Sequence, residues 1–167
     1  MNKGKIHIFC GKGTGKTSAA LGKGIREAGA GRSVIVIQFL KGKNNERAAE
    51  YFRRLEPELR LFRFEKSPEN YESLTERERE DECRNIKNGL NFARKVLVTE
   101  ECDILILDEI LGLTDRGIVT LEELRGLMDA VPESMELYLT GMSRCEELWP
   151  AADEVTVMTS PCSVPVS

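Results

Sequence analysis

The sequence predicts a three-layer α/β domain: a mostly parallel, six-stranded sheet with helices on both faces. Three observations predict it. Short apolar runs recur at residues 6–10, 33–39 and 104–107, the second of them β-branched and without polar alternation, the pattern of a strand buried on both faces. Between them lie stretches of helical periodicity, two of which open on the capping-box pattern S/T-x-x-E, at Thr75 to Glu78 and Thr120 to Glu123. Finally, a glycine-rich loop joins the first apolar run to a helical pattern of small residues, and strand, glycine loop, helix is a recognised supersecondary unit.

The first strand, Ile6-His7-Ile8-Phe9-Cys10, leads into that loop, and a helix follows through Ala19, Ala20, Leu21, Ile25 and Ala28. Gly29 and Gly31 supply its C-cap and turn. Residues 33–39 form the second strand, and residues 40–45 lie at its carboxyl end, where open α/β sheets place their ligands. Lys41 in this loop reads either as a phosphate contact or as an ordinary exposed lysine. A helix over 46–55 stops before Pro57, and the alternation of residues 59–64 predicts an edge strand. Residues 65–73 are polar and hold Pro68 and an isolated aromatic, Tyr71. The helix opened by Thr75 begins with acids and arginines, which read as a solvated face up to Glu82. It continues with an apolar stripe, Ile86, Leu90, Ala93, Val96 and Leu97. Residues 113–117 read as a loop, and the second capping box opens a helix to Ala130, broken by Pro132. Residues 135–140 form a strand closed by Gly141, a short helix spans 145–149, and 154–158 form the last strand. The expected organisation is a single domain over 1–158 and a disordered tail over 159–167, with two prolines and three serines.

Two stretches carry chemistry. The loop is Gly11-Lys12-Gly13-Thr14-Gly15-Lys16-Thr17-Ser18. Its glycines let successive amides turn inward, and the following helix N-terminus adds partial positive charge. Lys16 supplies a full charge to phosphates, and the Thr17 hydroxyl is placed to face magnesium. The spacing is short by one residue relative to G-x-x-x-x-G-K-[ST], because Cys10 stands where the first glycine is usual. The second stretch, Asp103-Ile104-Leu105-Ile106-Leu107-Asp108-Glu109, is a buried strand ending in two acids. Asp108 corresponds to the acid that holds magnesium in phosphate-loop proteins. Glu109 reads either as a metal ligand or as a residue orienting water. Lys16 and Glu109 are the candidate catalytic side chains; Thr17, Asp108 and Glu109 are the candidate metal ligands.

Composition narrows the class. With 24 basic and 28 acidic residues, net charge is −4, which disfavours non-specific nucleic-acid binding and attachment to anionic membranes. No apolar segment reaches the ~18 residues of a membrane span, and the chain runs from Met1 into a strand and not into a signal peptide. Five cysteines, at 10, 83, 102, 145 and 162, are widely spaced and accompanied by one histidine. That pattern argues against a disulfide framework or zinc site and predicts free thiols in a reducing cytoplasm.

The strings GKGTGKTSAALG, VIQFLKG, DILILDE and YLTG, in this order and at these separations, resemble the ATP:corrinoid adenosyltransferases, which act on cob(I)alamin or cob(I)yrinic acid a,c-diamide. The resemblance spans residues 6–158. It includes the shortened loop and the segment Phe39-Leu40-Lys41-Gly42. It implies a RecA-like sheet, a homodimer, ATP as substrate and Mg2+ or Mn2+ as the metal. It further implies a corrinoid acceptor reduced to cobalt(I) by an electron donor such as a flavoprotein. ATP is expected to lie reversed along the loop, leaving the ribose 5′ carbon open to cobalt, with triphosphate departing. Nucleotide contacts are then expected from residues 11–18 and Lys41, and a corrinoid contact from Tyr71.

The sequence departs from the family in three places. Met142 follows Gly141 where the family carries Arg, with Arg144 two residues on. Glu69 and Tyr71 occupy the positions of a Phe-x-Trp pair. The family's Lys-, His- and Gly-rich terminus does not match residues 160–167. The departures leave a non-catalytic ATP- or corrinoid-binding module as the alternative reading, with a small phosphate-loop kinase or NTPase behind it.

Overall fold

A computed structural model describes residues 2–39, 46–64 and 70–160. The apolar runs become β1 (Lys5–Cys10), β2 (Val34–Gln38), β3 (Leu59–Arg63), β4 (Ile104–Asp108), β5 (Glu136–Gly141) and β6 (Glu154–Val157). They form one six-stranded sheet in the order β3-β2-β4-β5-β1-β6, and every neighbouring pair is parallel. β3 lies at an edge, as its alternation predicts.

Parallel pairs need crossover connections, and the helices supply them. These are α1 (Lys16–Gly29), α2 (Glu46–Phe52), α3 (Glu76–Thr99), α4 (Gly112–Asp115) and α5 (Leu121–Asp129). The absence of polar alternation in the central strands now has its cause. Ile35, Ile37, Leu105, Leu107, Leu137 and Leu139 pack on one side with the α3 stripe and with Leu124, Leu127 and Met128 of α5. Val34, Val36, Ile104, Ile106 and Tyr138 pack on the other with Ala20 of α1. The small residues of α1 let it lie close to the sheet: a Cβ on Gly24 would sit 2.8 Å from Ile106 Cδ1. The five stripe residues of α3 are at most 1 % exposed. Each large one contributes about 1.5–3 kcal/mol through its transfer from water.

Both capping boxes form. Thr75 Oγ1 accepts from Glu78 N–H (3.3 Å) and Glu78 Oε2 from Thr75 N–H (2.8 Å). Thr120 and Glu123 repeat the exchange at 3.0 and 2.9 Å. Lys87 of α3 also reaches Glu123 Oε1 at 2.7 Å, so the second cap ties α5 to its neighbour.

Three expectations are corrected. Glu82, assigned to the solvated face of α3, is 2 % exposed. Helical phase brings it round to the side of Ile86, four residues on. The segment expected as a loop over 113–117 overlaps α4, drawn inward by the fully buried Leu113. The short helix near 145–149 is a 3-10 turn, Glu146–Ala151, with Pro150 inside it.

One feature of the strand order positions the site. β5 lies between β1 and β4, so the glycine loop and the Asp108 strand are separated by a single strand. At ~4.8 Å per step their axes are about 10 Å apart. A side chain on the first turn of α1 can bridge that gap.

Candidate functional site

β1 runs unbroken through Cys10, which pairs with Gly141 of β5 and Val157 of β6. The loop therefore begins one residue late, at Gly11. The end of β6 shapes it. Gly13 N–H donates to Met158 O (2.8 Å), and Met158 N–H donates to Cys10 O (2.8 Å). A Cβ on Gly11 would lie 2.3 Å from Met158 O, and one on Gly13 would lie 2.3 Å from Thr159 O. Gly11 and Gly15 also adopt φ of 107° and 100°, where other residues are strained. At the other end of the loop, Ala19 N–H donates to Gly15 O (2.8 Å), the first regular helical bond. The amides of residues 14–18 thus lie between two committed ones, at a helix N-terminus whose dipole favours an anion.

Lys16 is 8 % exposed, and its Nζ donates to Gly13 O at 2.6 Å, arching back over the loop. Thr17 Oγ1 donates to Asp108 Oδ1 at 2.8 Å, closing the gap between loop and acid strand. Asp108 is fully buried. Thr140 of β5 donates to the same Oδ1 at 2.6 Å, and Gln38 Nε2 of β2 donates to Oδ2 at 3.2 Å. Thr140 Oγ1 in turn accepts from Glu109 N–H (2.9 Å). That bond holds Glu109 at φ 66°, a left-handed conformation uncommon outside glycine.

Magnesium suits this donor set. Among the described residues no group of three or more His, Cys, Asp or Glu is placed to hold a metal ion. Mg2+, however, ordinarily takes one or two carboxylates plus phosphates and waters, not an all-protein cage. A hydroxyl beside a buried carboxylate at the foot of a phosphate loop meets that requirement, with Glu109 next in the chain.

Beside the loop opens a cleft of about 1040 Å³. It is lined by Gly11, Lys12, Thr114, Asp115, Met142, Arg144 and Met158, among others. Met142 is 56 % exposed. Arg144 pairs with Glu146 (2.8 Å) and lies 5.0 Å from the Trp149 ring centroid. Thr159 and Ser160 also line this cleft. Burial pushes the Cys10 thiol above its ordinary value, which keeps it protonated and unreactive. His7 lies elsewhere: it occupies the β1–β6 side, with Nε2 2.8 Å from Thr156 Oγ1 and Nδ1 3.1 Å from Glu154.

Of the residues singled out in the sequence, 11–18, Asp108 and Glu109 converge here. Tyr71 lies on a 3-10 turn, Tyr71–Ser73. Its hydroxyl lies 3.4 Å from Cys83 Sγ, and its ring is flanked by Arg79 and Arg116 at 5.6 and 5.4 Å. Lys41, Glu69 and residues 161–167 lie outside the described residues. Sequence reasoning missed Gln38 and Thr140. Each is a polar residue near the carboxyl end of an otherwise apolar buried strand, a signal that marks the position though not its partner Asp108.

Comparison with known proteins identifies the family. The family described as ATP:corrinoid adenosyltransferase BtuR/CobO/CobP matches residues 2–162. The corrinoid adenosyltransferase of Escherichia coli strain K12 is 30% identical over 156 residues, 92% of this chain and 76% of that protein. The corrinoid adenosyltransferase CobA of Salmonella typhimurium is 29% identical over the same shares of both chains. Among solved structures, a KaiC-like protein, PH0186, from Pyrococcus horikoshii OT3 superposes with a TM-score of 0.60 at 19% identity. The superposition covers 93% of this chain and 71% of that one, and supports a three-layer α/β fold of the phosphate-loop type. With the family matched along nearly its whole length, the chain belongs to the ATP:corrinoid adenosyltransferases.

Proposed function

We propose that this protein transfers the 5′-deoxyadenosyl group of ATP to the cobalt(I) of a reduced corrinoid and releases triphosphate. The observation that carries the reading is the family match over residues 2–162, on a chain whose glycine loop and buried carboxylate meet at 2.8 Å. In the transfer a cobalt–carbon bond forms at the ribose 5′ carbon as the bond from that carbon to the triphosphate oxygen breaks. The electron pair of the broken bond leaves with the triphosphate. Cobalt supplies its own electron pair, so the chain needs no general base, which suits a site where the one histidine lies on the β6 side and Cys10 is held protonated.

The task of the protein is to bind, orient and stabilise a polyanionic leaving group. Lys16 exchanges its bond to Gly13 O for the phosphates, and the amides of residues 14–18 surround them. These preorganised donors favour the charge that builds on the departing oxygen. Thr17, Asp108 and Glu109 are the residues that would hold Mg2+ or Mn2+, which adds positive charge against the triphosphate. The cleft beside Gly11 and Lys12 supplies room for the adenosine and the acceptor. Tyr71, stiffened by two arginines and Cys83, is the aromatic offered to the corrinoid. Lys41 as a further phosphate contact, a second copy of the chain, a separate electron donor and a cytoplasmic setting complete the proposal. None of the described helices is long and apolar enough to cross a membrane.

Incubation with Mg·ATP and chemically reduced corrinoid tests the reading. Triphosphate together with a light-sensitive cobalt–carbon product is expected. ADP, or tight ATP binding without product despite confirmed cobalt(I), refutes it.

A further inference from the structure

Gln38 is costly to the fold where it stands. The rest of β2, Val34 to Ile37, is at most 1 % exposed and wholly apolar, and Gln38 itself is 4 % exposed at its end. Its carboxamide has one hydrogen bond, from Nε2 to Asp108 Oδ2 at 3.2 Å. The orientation is fixed chemically: an amide oxygen turned toward a carboxylate oxygen would place two acceptors face to face. Oε1 is therefore the atom left over, and among the described residues it is buried without a hydrogen-bond partner. A leucine would fill this position with no unmet polar atom of its own, at the loss of the donor to Asp108 Oδ2. A residue that breaks the local pattern and serves a site residue marks function more often than packing.

We infer that Gln38 is a positioning residue for the metal–triphosphate site: its Nε2 fixes the Asp108 carboxylate, and its Oε1 accepts from a water in the hydration shell of the cation. The inference rests on Asp108 being the metal-side acid. β2 and β4 are adjacent, with Gln38 and Asp108 directly in register, so Nε2 reaches Oδ2 with no backbone adjustment. Oδ1 is meanwhile shared by Thr17 and Thr140. The carboxylate is held at both oxygens, from both flanking strands and from the phosphate-loop helix, and cannot rotate without losing a donor. Mg2+ retains several waters when it binds with a nucleotide, and an acceptor beside its carboxylate ligand gives such a water an oriented partner. Partners of this kind tune metal affinity without touching the metal.

The test is Mn2+ binding in the presence of ATP, followed by electron paramagnetic resonance, for wild type, Gln38→Leu, Gln38→Met and Asp108→Asn. Both Gln38 variants are expected to lose about 10- to 100-fold in Mn2+ affinity, whatever the change in unfolding midpoint, because each removes an unmet acceptor together with the donor to Asp108 Oδ2. A residue with a merely structural role would instead lower the midpoint and leave Mn2+ affinity alone. Affinities within twofold of wild type for both variants, with Asp108→Asn impaired, overturn the role of Gln38 alone. A wild-type protein that binds no Mn2+ with ATP overturns the metal assignment as well. Neither result bears on whether triphosphate is the product, which the cobalt(I) incubation decides separately.

Discussion

Replacing Thr140 by Val removes one hydroxyl and almost no volume, so its effect isolates two hydrogen bonds. In the folded protein Thr140 Oγ1 donates to the fully buried Asp108 carboxylate at 2.6 Å and accepts from Glu109 N–H at 2.9 Å. A hydrogen bond to a charged group is worth roughly 1.5–3 kcal/mol. Leaving the Glu109 amide without its partner adds a fraction of the ~1–3 kcal/mol that a buried unpaired donor costs, reduced because Glu109 is only half-buried. Valine keeps the β-branched shape, so neither a cavity term nor a strand-propensity term enters. The expected loss is about 2–4 kcal/mol, a fall of some 5–15 °C in Tm for a chain of this size. Thr140→Ser is the control: it keeps the hydroxyl and deletes one buried methyl, costing about 1 kcal/mol. Urea unfolding with linear extrapolation measures both. If Thr140→Val falls within 0.5 kcal/mol of wild type, or proves more stable than Thr140→Ser, the carboxylate is not held as described here.

Other perturbations separate the functions of neighbouring groups. Lys16→Ala should abolish ATP use while leaving the unfolding midpoint near wild type, since its one assigned bond is to a loop carbonyl; a large fall in Tm would assign the lysine to structure. Tyr71→Ala should spare ATP affinity and slow corrinoid turnover, and equal losses in both would place Tyr71 elsewhere. Thr120→Ala should cost about 1 kcal/mol through loss of the α5 cap, read from chemical denaturation. The Lys87 ammonium, with the Thr120 amide behind it, holds the Glu123 carboxyl below its ordinary value. A depressed folded value stabilises above the unfolded value and is lost as pH falls through the folded one. Lys87→Met should therefore flatten the decline in stability on acidification below about pH 4.5, and an unchanged decline would exclude the pair as its source.

The fold was legible in the sequence because its signals are local. Runs such as Ile104 to Leu107 announce burial on both faces, and Thr75 and Thr120 announce helix starts through a four-residue pattern. Gly11 to Ser18 and the Asp108-Glu109 pair were legible for the same reason, since their chemistry is written into adjacent positions. What stayed hidden depends on strand order. Gln38 and Thr140 lie 70 and 32 residues from Asp108 in the chain. They become its neighbours only because β4 sits between β2 and β5, and no local pattern prints that order. Glu82 misled for a related reason: its sequence neighbours are acids and arginines, while its fate was set by a helix phase shared with Ile86.

The shortened loop acquires a structural cause from the same sheet order. Because β1 is flanked by β5 and β6, its last residue, Cys10, is paired on both sides, and the chain stays extended one residue longer than the G-x-x-x-x-G-K-[ST] spacing assumes. The next residues then pass directly under Met158 and Thr159, where any Cβ at Gly11 or Gly13 would strike a carbonyl oxygen. Two of the three loop glycines are thus demanded by β6, and Gly13 spends its amide there. Only Gly15, where a Cβ would meet nothing closer than Met158 Sδ at 3.7 Å and φ is 100°, is a glycine of the turn into the helix. The amides of residues 14–18 are consequently gathered toward α1, where the proposed reaction would direct them at the triphosphate. The side of the loop nearest Gly11 and Lys12 is left to wall the large cleft. Under the proposed reaction, a loop built this way would grip the phosphate chain at the helix end and leave its other side open to a bulky partner. That asymmetry suits a reaction in which the triphosphate is held and the nucleoside is taken.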